Sequence, residues 1–291
     1  MRDALVFGGS GQIGAPLLER LHAAGWRVFA VSRNAHPDAP CMHWLRGDLD
    51  HVEGLPRRVD AIFSCGPLDQ FARWYAASAI EAPRVVAFGS TSVDVKQGSV
   101  DPHERDVAMR LREGEHGVFA TAAARGAAAT MLRPTLVYGA ARDRTLTRIA
   151  QLARRWGRFV LPRHACGLRQ PVHVDDLATA AFSSLGGVAS HGGAYALPGG
   201  ETLAYRDMVT RVLDVLQPPP RLIEVPGPLF AAALLGARVL GRIDGIGDAA
   251  VARLRSDLVF DAAPAQRDLG YAPRPFQPTA PMFEAGVFSN D

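Results

Sequence analysis

The sequence predicts an α/β protein in which a parallel sheet is wound with helices over both faces. Three observations carry that prediction. Short strand-like runs alternate with helix-like stretches through the first half of the chain. Those runs are apolar throughout, as strands buried on both faces are, and do not alternate apolar with polar. The first run leads through a glycine-rich turn directly into an amphipathic stretch.

The expected strands are Ala4–Gly8, Arg27–Val31, Met42–Leu45, Ala61–Ser64, Arg84–Phe88 and Thr130–Arg133. Between them, Ile13–Ala24 and Arg105–Arg125 space their apolar residues for helices. The second half is less regular. It predicts a helix at Arg142–Arg155, a short strand around Phe159–Leu161, another at Gly167–Val172, and a helix from Val174 to Leu185. Pro218-Pro219-Pro220 cannot be helix interior and marks a connection.

Composition narrows the function. With 291 residues, 48% hydrophobic and 21% charged, the chain can bury a large core as one big domain or two smaller ones. The net charge is +3, too small and too scattered for a nucleic-acid binder. Nearly all the basic residues are arginine, and Lys96 is the single lysine. Cys41, Cys65 and Cys166 lie far apart, with no C-x-x-C and no histidine pair at metal spacing. Neither a disulfide framework nor a metal site is expected, and a reducing compartment fits. Met1-Arg2-Asp3 runs straight into a strand, unlike a secretory leader, so a cytoplasmic protein is expected. The most apolar stretch, Leu229 to Leu235, falls well short of the roughly 20 residues that span a bilayer, so no stable membrane insertion is expected.

The strongest motif is Gly8-Gly9-Ser10-Gly11-Gln12-Ile13-Gly14, between the first strand and the first helix. Gly8 permits the tight turn, Gly11 lets backbone approach a pyrophosphate, and Gly14 lets the helix pack close to the sheet. The helix start offers its N–H groups to an anion. Gly8, Ser10, Gly11, Gln12, Ile13 and Gly14 are therefore expected to hold a dinucleotide. Readers of NAD carry an Asp or Glu after the second strand, yet Arg27 to Pro37 contains neither. Arg33 stands there and suits a 2′-phosphate, so NADP(H) is expected in preference to NAD(H). Residues 1–165 then form mainly the Rossmann-type dinucleotide-binding domain. Residues 166–291 form mainly a smaller substrate-binding part, with the chain free to cross between the two.

Gly8-x-x-Gly11-x-x-Gly14 resembles the extended short-chain dehydrogenases/reductases, the NAD-dependent epimerase/dehydratase family, and further likenesses follow in that family's order. The resemblance implies that Asp48 and Leu49, in Gly47-Asp48-Leu49, lie at the adenine. It sets Cys65 and Gly66 beside the cofactor at the end of the fourth strand. It gives Thr91, in Phe88-Gly89-Ser90-Thr91-Ser92, the contact to a substrate carbonyl or hydroxyl. Leu132–Gly139 resembles the strand-six segment, Arg169–Ala178 a signature of the substrate half, and Phe260-Asp261 with Arg267–Tyr271 the last helix and turn. In sugar-nucleotide members, an arginine placed like Arg169 binds the substrate diphosphate, and Arg253 and Arg255 would form the other jaw of an anion clamp. Thr135-Leu136, however, stands where many of those members have an asparagine.

The family's Tyr-x-x-x-Lys pair is missing. Four residues after the five tyrosines stand Ala79, Arg142, Gly199, Val209 and Pro275. The chain thus resembles the atypical branch of the superfamily. Tyr138, which has Arg142 four residues on, is read as packing. His103 and His116 are the candidate replacement proton donors. His173 is read as a packing or hydrogen-bonding residue, and Asp175-Asp176 as helix capping and dipole compensation. Two functions follow. One is an NAD(P)-dependent oxidoreductase or epimerase acting on a carbonyl or secondary alcohol of a small, anionic substrate, with a homodimer allowed. The other is a cofactor-binding sensor or scaffold without turnover.

Overall fold

The computed structural model describes residues 1–143, 145–232 and 253–284. Two compact units divide the chain. One comprises Met1–Thr135, Val172–Pro198 and Phe260–Pro273; the other comprises Leu136–Pro171, Gly199–Val259 and Arg274–Asp291.

The first unit opens with β1 (Asp3–Phe7), α1 (Gly14–Ala23), β2 (Arg27–Ser32), β3 (Met42–Arg46) and β4 (Ala61–Ser64). It continues through α2 (Leu68–Ala77), β5 (Arg84–Phe88), α3 (Ser92–Val95), α4 (Pro102–Ala124) and β6 (Ala128–Pro134). The chain then crosses to the second unit for β7 (Val137–Tyr138), α5 (Leu146–Trp156), β8 (Arg158–Pro162) and β9 (Leu168–Arg169). It returns to the first for β10 (Val172–His173), α6 (Val174–Ser183) and β11 (Ala194–Leu197). It crosses again for β12 (Leu203–Ala204), α7 (Tyr205–Asp214) and β13 (Arg221–Val225). A short helix, Ala263–Leu269, lies in the first unit.

The sheet of the first unit has seven strands in the order β11-β6-β5-β4-β1-β2-β3, with every neighbouring pair parallel. Six of them are the strands expected from the apolar runs. The seventh, β11, was not expected: it is a four-residue run, Ala194 to Leu197, between Gly193 and Pro198. Pairing with β6 makes it a strand, because nothing in so short a run separates strand from loop. One sheet face contributes Leu5, Phe7, Ile62, Val85, Ala87 and Met131 to a core closed by Phe71 and Tyr75 of α2 and Val118 and Ala122 of α4. Each large side chain buried there stabilises the fold by about 1.5–3 kcal/mol. The α4 helix starts where Asp101 accepts the His103 N–H at 2.9 Å, with Pro102 in the first turn.

The second unit packs Tyr138, Leu146, Ile149, Leu161, Met208, Val212 and Phe276 together. Its α5 begins at Leu146, later than expected, because the Asp143 carboxylate accepts the N–H groups of Thr145 and Thr147, both at 3.0 Å. The strand expected over 167–172 is divided into β9 and β10 by Gln170-Pro171, since Pro171 has no N–H for a ladder. Of the apolar stretch 229–235, residues 233–235 lie outside the described residues. Among the described residues no helix is long and apolar enough to cross a membrane.

Candidate functional site

The strand order reverses between β1 and β4, and the loops after these two strands meet there. Gly8, with φ 73°, turns the chain out of β1. The Gly11 N–H closes the turn on the Gly8 carbonyl at 2.9 Å. A Cβ on Gly11 would lie 2.9 Å from that carbonyl oxygen, and one on Gly14 only 2.0 Å from it. Only glycine fits at Gly14, so α1 starts hard against the strand end. No side chain caps α1, and its first turn holds no carboxylate. Ala15 and Leu17 donate to the Gly11 and Ile13 carbonyls at 3.0 and 3.3 Å and Pro16 has no N–H, so the helix start meets an anion through the positive end of its dipole, which no carboxylate offsets.

The loop after β4 completes the cradle. The Cys65 N–H bonds the Phe7 carbonyl at 3.0 Å, and a Cβ on Gly8 would touch the Cys65 carbonyl carbon at 3.2 Å. A Cβ on Gly66 would meet Leu49 at 3.3 Å, so the Asp48-Leu49 segment closes on the same loop. Ser64 Oγ and Gln12 Oε1 are both buried without a hydrogen-bond partner. A tight glycine cradle, an uncapped helix start and two orphaned polar atoms fit a bound dinucleotide. Burial pushes the Cys65 thiol up to about 12, which makes it a poor nucleophile. Asp48 is exposed and accepts the N–H groups of Asp50 at 3.0 Å and His51 at 3.1 Å. These backbone bonds, helped by the nearby Arg33, hold its carboxyl below the usual range.

At the end of β2, Ser32 stands at the last strand position and Arg33 follows it, exposed. Ser32 Oγ lies 2.8 Å from Ser10 Oγ of the glycine turn and 3.2 Å from His36 Nε2, and it accepts the Asn34 N–H at 3.2 Å. The His36 ring stacks on Trp44 of β3, centroids 4.2 Å apart. This polar knot was missed in the sequence. The only hint was Ser32-Arg33-Asn34 and His36 standing in place of a carboxylate.

Thr91 follows β5 and is buried. Its N–H and its hydroxyl both point to the Pro134 carbonyl at 3.2 Å. The single hydroxyl proton is thus engaged, and its oxygen remains an acceptor. Behind this turn lies a buried pair that no spacing announced. Arg133 of β6 grips the Glu115 carboxylate of α4 with two N–H groups, and its other nitrogen lies 3.6 Å from Asp94. A Cβ on Gly89 would come within 2.9 Å of Glu115 Oε1, so the pair braces the turn that carries Thr91.

In the second unit, Arg169 is buried, and its guanidinium donates to the carbonyls of Leu168 (2.7 Å), Ser256 (2.8 Å) and Arg253 (2.6 Å). It also lies over the Tyr205 ring at 5.4 Å. A Cβ on Gly167 would meet the Ser256 carbonyl oxygen at 2.4 Å, so residues 253–256 run directly against β9. Arg169 and Arg255 share this locus in different ways. Arg169 is a strut below the turn, and Arg255 is exposed upon it.

Comparison with known proteins agrees with this geometry. The model of the NAD dependent epimerase/dehydratase family matches residues 4–195. The chain belongs to that family. A 2-alkyl-3-oxoalkanoate reductase of Stenotrophomonas maltophilia (strain K279a) is 26% identical, and the alignment covers 93% of this chain and 94% of the relative. The UDP-glucuronic acid 4-epimerase of Bacillus cereus, solved in complex with NAD, shares the fold with a TM-score of 0.71 at 13% identity, covering 97% and 94% of the two chains. The epimerase Mth375 of Methanothermobacter thermautotrophicus matches with a TM-score of 0.70 at 16% identity, covering 94% and 88%. Membership in the epimerase/dehydratase family makes this an NAD(P)-dependent protein of oxidoreductase or epimerase type.

The α4 helix contains neither tyrosine nor lysine. His103 and His116 are exposed on that helix, whereas its buried side carries Glu104, Ala108, Gly114, Glu115 and Val118. Tyr138 is buried with its ring edge-on to Phe276 at 4.9 Å, as a packing residue would be. His173 is the N-cap of α6, its Nδ1 accepting the Asp175 N–H at 3.2 Å. Asp175 and Asp176 contribute charge in the first turn, so the capping expected of them falls to the histidine.

Proposed function

We propose that this protein is an NADP(H)-preferring oxidoreductase acting on the carbonyl or secondary alcohol of a small anionic substrate. The observation that carries this reading is the β1–β4 switch point, a glycine cradle whose neighbouring strand ends in Ser32-Arg33 with no carboxylate. Bound nicotinamide supplies the hydride chemistry. Gly8, Ser10, Gly11, Gln12, Ile13 and Gly14 would hold the pyrophosphate, and Asp48, Leu49, Cys65 and Gly66 the adenosine side. Arg33 would pair with the 2′-phosphate.

Thr91 Oγ1 can accept a hydrogen bond from a substrate hydroxyl while its proton stays on Pro134. For a carbonyl, the hydroxyl turns and donates to the oxygen. With no tyrosine on α4, the proton moves through water or a histidine. Within the second unit, exposed Arg255 offers a charge for an anion, and Arg169 holds the turn beneath it. The curated relative's name describes an oxoalkanoate, a carbonyl compound that carries a carboxylate, which supports this substrate class. The three free cysteines support a cytoplasmic setting.

The test is to titrate NADPH and NADH, then follow NADPH oxidation against a panel of 3-oxo acids and nucleotide sugars. Turnover of the oxo acids with tighter NADPH binding is expected. Tighter NADH binding refutes the cofactor preference. Tight NADPH binding with no substrate turned over replaces the enzyme with the sensor or scaffold reading.

A further inference from the structure

We infer that His36 is a specificity-determining residue of the cofactor site, a donor to the 2′-phosphate that no strand-end pattern announces. This rests on the NADP(H) reading above. Ser32 Oγ is the hub, with Ser10 Oγ at 2.8 Å, His36 Nε2 at 3.2 Å and the Asn34 N–H at 3.2 Å. Three segments therefore converge there: the glycine turn, the end of β2 and the loop after it. Each side-chain group around the hub can donate: two hydroxyls and an imidazole nitrogen.

The nearby carboxylates are turned to other work. Asp38 accepts the Trp44 N–H at 2.7 Å and lies 3.4 Å from His43, and Asp48 accepts from its own loop. A hub rich in donors suits a phosphate, which only accepts, better than a ribose hydroxyl, for which other members of such folds use a carboxylate. Its placement also looks built. The imidazole stacks on Trp44 with centroids 4.2 Å apart and planes inclined by 30°, which holds the ring with Nε2 toward Ser32. A ring fixed before binding loses less freedom when it meets the phosphate.

The discriminating variant is His36→Phe, which keeps an aromatic ring for Trp44 and removes the ring nitrogen. His36→Gln, which keeps a donor without the ring, is the companion. Binding of NADPH and NADH is followed by fluorescence titration, and that of adenosine 2′,5′-bisphosphate and adenosine 5′-monophosphate by calorimetry. Each variant is first shown to melt as the wild type does. His36→Phe should weaken NADPH and the bisphosphate by about tenfold and leave NADH and the monophosphate unchanged, with His36→Gln in between. If Arg33→Ala lowers the NADPH preference but His36→Phe does not, the role of His36 is refuted while the NADP(H) reading stands. If the wild type binds NADH more tightly, the NADP(H) reading fails and the role of His36 fails with it.

Discussion

Gly14→Ala puts the glycine cradle under the most severe test. The new Cβ would lie 2.0 Å from the Gly8 carbonyl oxygen and 2.8 Å from that of Gly9. Carbon and carbonyl oxygen settle at about 3.3 Å even in favourable contacts, so the turn must open by about 1.3 Å. Both neighbours are backbone, and no rotamer change relieves the clash. The cost should reach the upper end of overpacking, about 3 kcal/mol. For a domain of this size that lowers the melting temperature by roughly 6–12 °C. Gly11→Ala differs, because its Cβ would lie 2.9 Å from the same oxygen and needs only a few tenths of an ångström. It should melt within about 3 °C of wild type, yet bind NADPH at least tenfold more weakly. Gly98 has open space around it, so Gly98→Ala serves as the unaffected control. Thermal melts and NADPH fluorescence titrations on the three variants decide the matter. A Gly14→Ala protein with wild-type melting and wild-type affinity would refute the derivation of the cradle.

Three further outcomes follow from the same geometry. Thr91→Ala should lower turnover at least tenfold, short of the roughly hundredfold that a dedicated oxyanion donor contributes because the Thr91 proton is shared with Pro134, and leave NADPH affinity unchanged; equal turnover removes Thr91 from the chemistry. Tyr138→Phe keeps the ring on Phe276 and should change stability by less than about 1 kcal/mol, whereas Tyr138→Ala should cost about 3–5 kcal/mol. Loss of activity in a folded, cofactor-binding Tyr138→Phe protein would show that its hydroxyl, not its packing, matters. For Cys65, the thiol is raised from 9.0 to about 12, so it contributes stability fully below pH 9 that is lost as pH climbs toward 12. At pH 8 its thiolate fraction is about one in ten thousand, against about one in ten for an ordinary thiol. A thiol reagent should therefore label exposed Cys166 much faster than half-buried Cys65, and equal native rates would contradict this.

Most of the cofactor half was legible before any coordinates. Strands buried on both faces must be continuously apolar, and a turn that leaves no room for a Cβ must be glycine, so β1 to β6 and the Gly8–Gly14 turn show in the residues themselves. Helices α1, α4, α5 and α6 followed from period, while α2 and α7 did not; Asp143 moved the start of α5 by accepting N–H groups and Pro171 divided a strand by lacking one, neither of which periodicity encodes.

The remainder required partners distant in sequence. The four residues of β11 become a strand only beside β6. Glu115 and Arg133 stand 18 residues apart and meet because α4 crosses the strand end. Arg169 reads as a ligand for anions by resemblance, yet its guanidinium is spent on carbonyls more than 80 residues away. His36 lies in a loop without any motif, and Trp44 on the next strand gives it a fixed direction. The sequence by itself determined what backbone sterics and solvent exclusion impose locally: six of the seven sheet strands, the helices α1, α4, α5 and α6, the glycine turn and the missing carboxylate. Only the tertiary structure decided which charged and polar side chains find partners, because a hydrogen bond depends on distances of about 3 Å that no sequence spacing records.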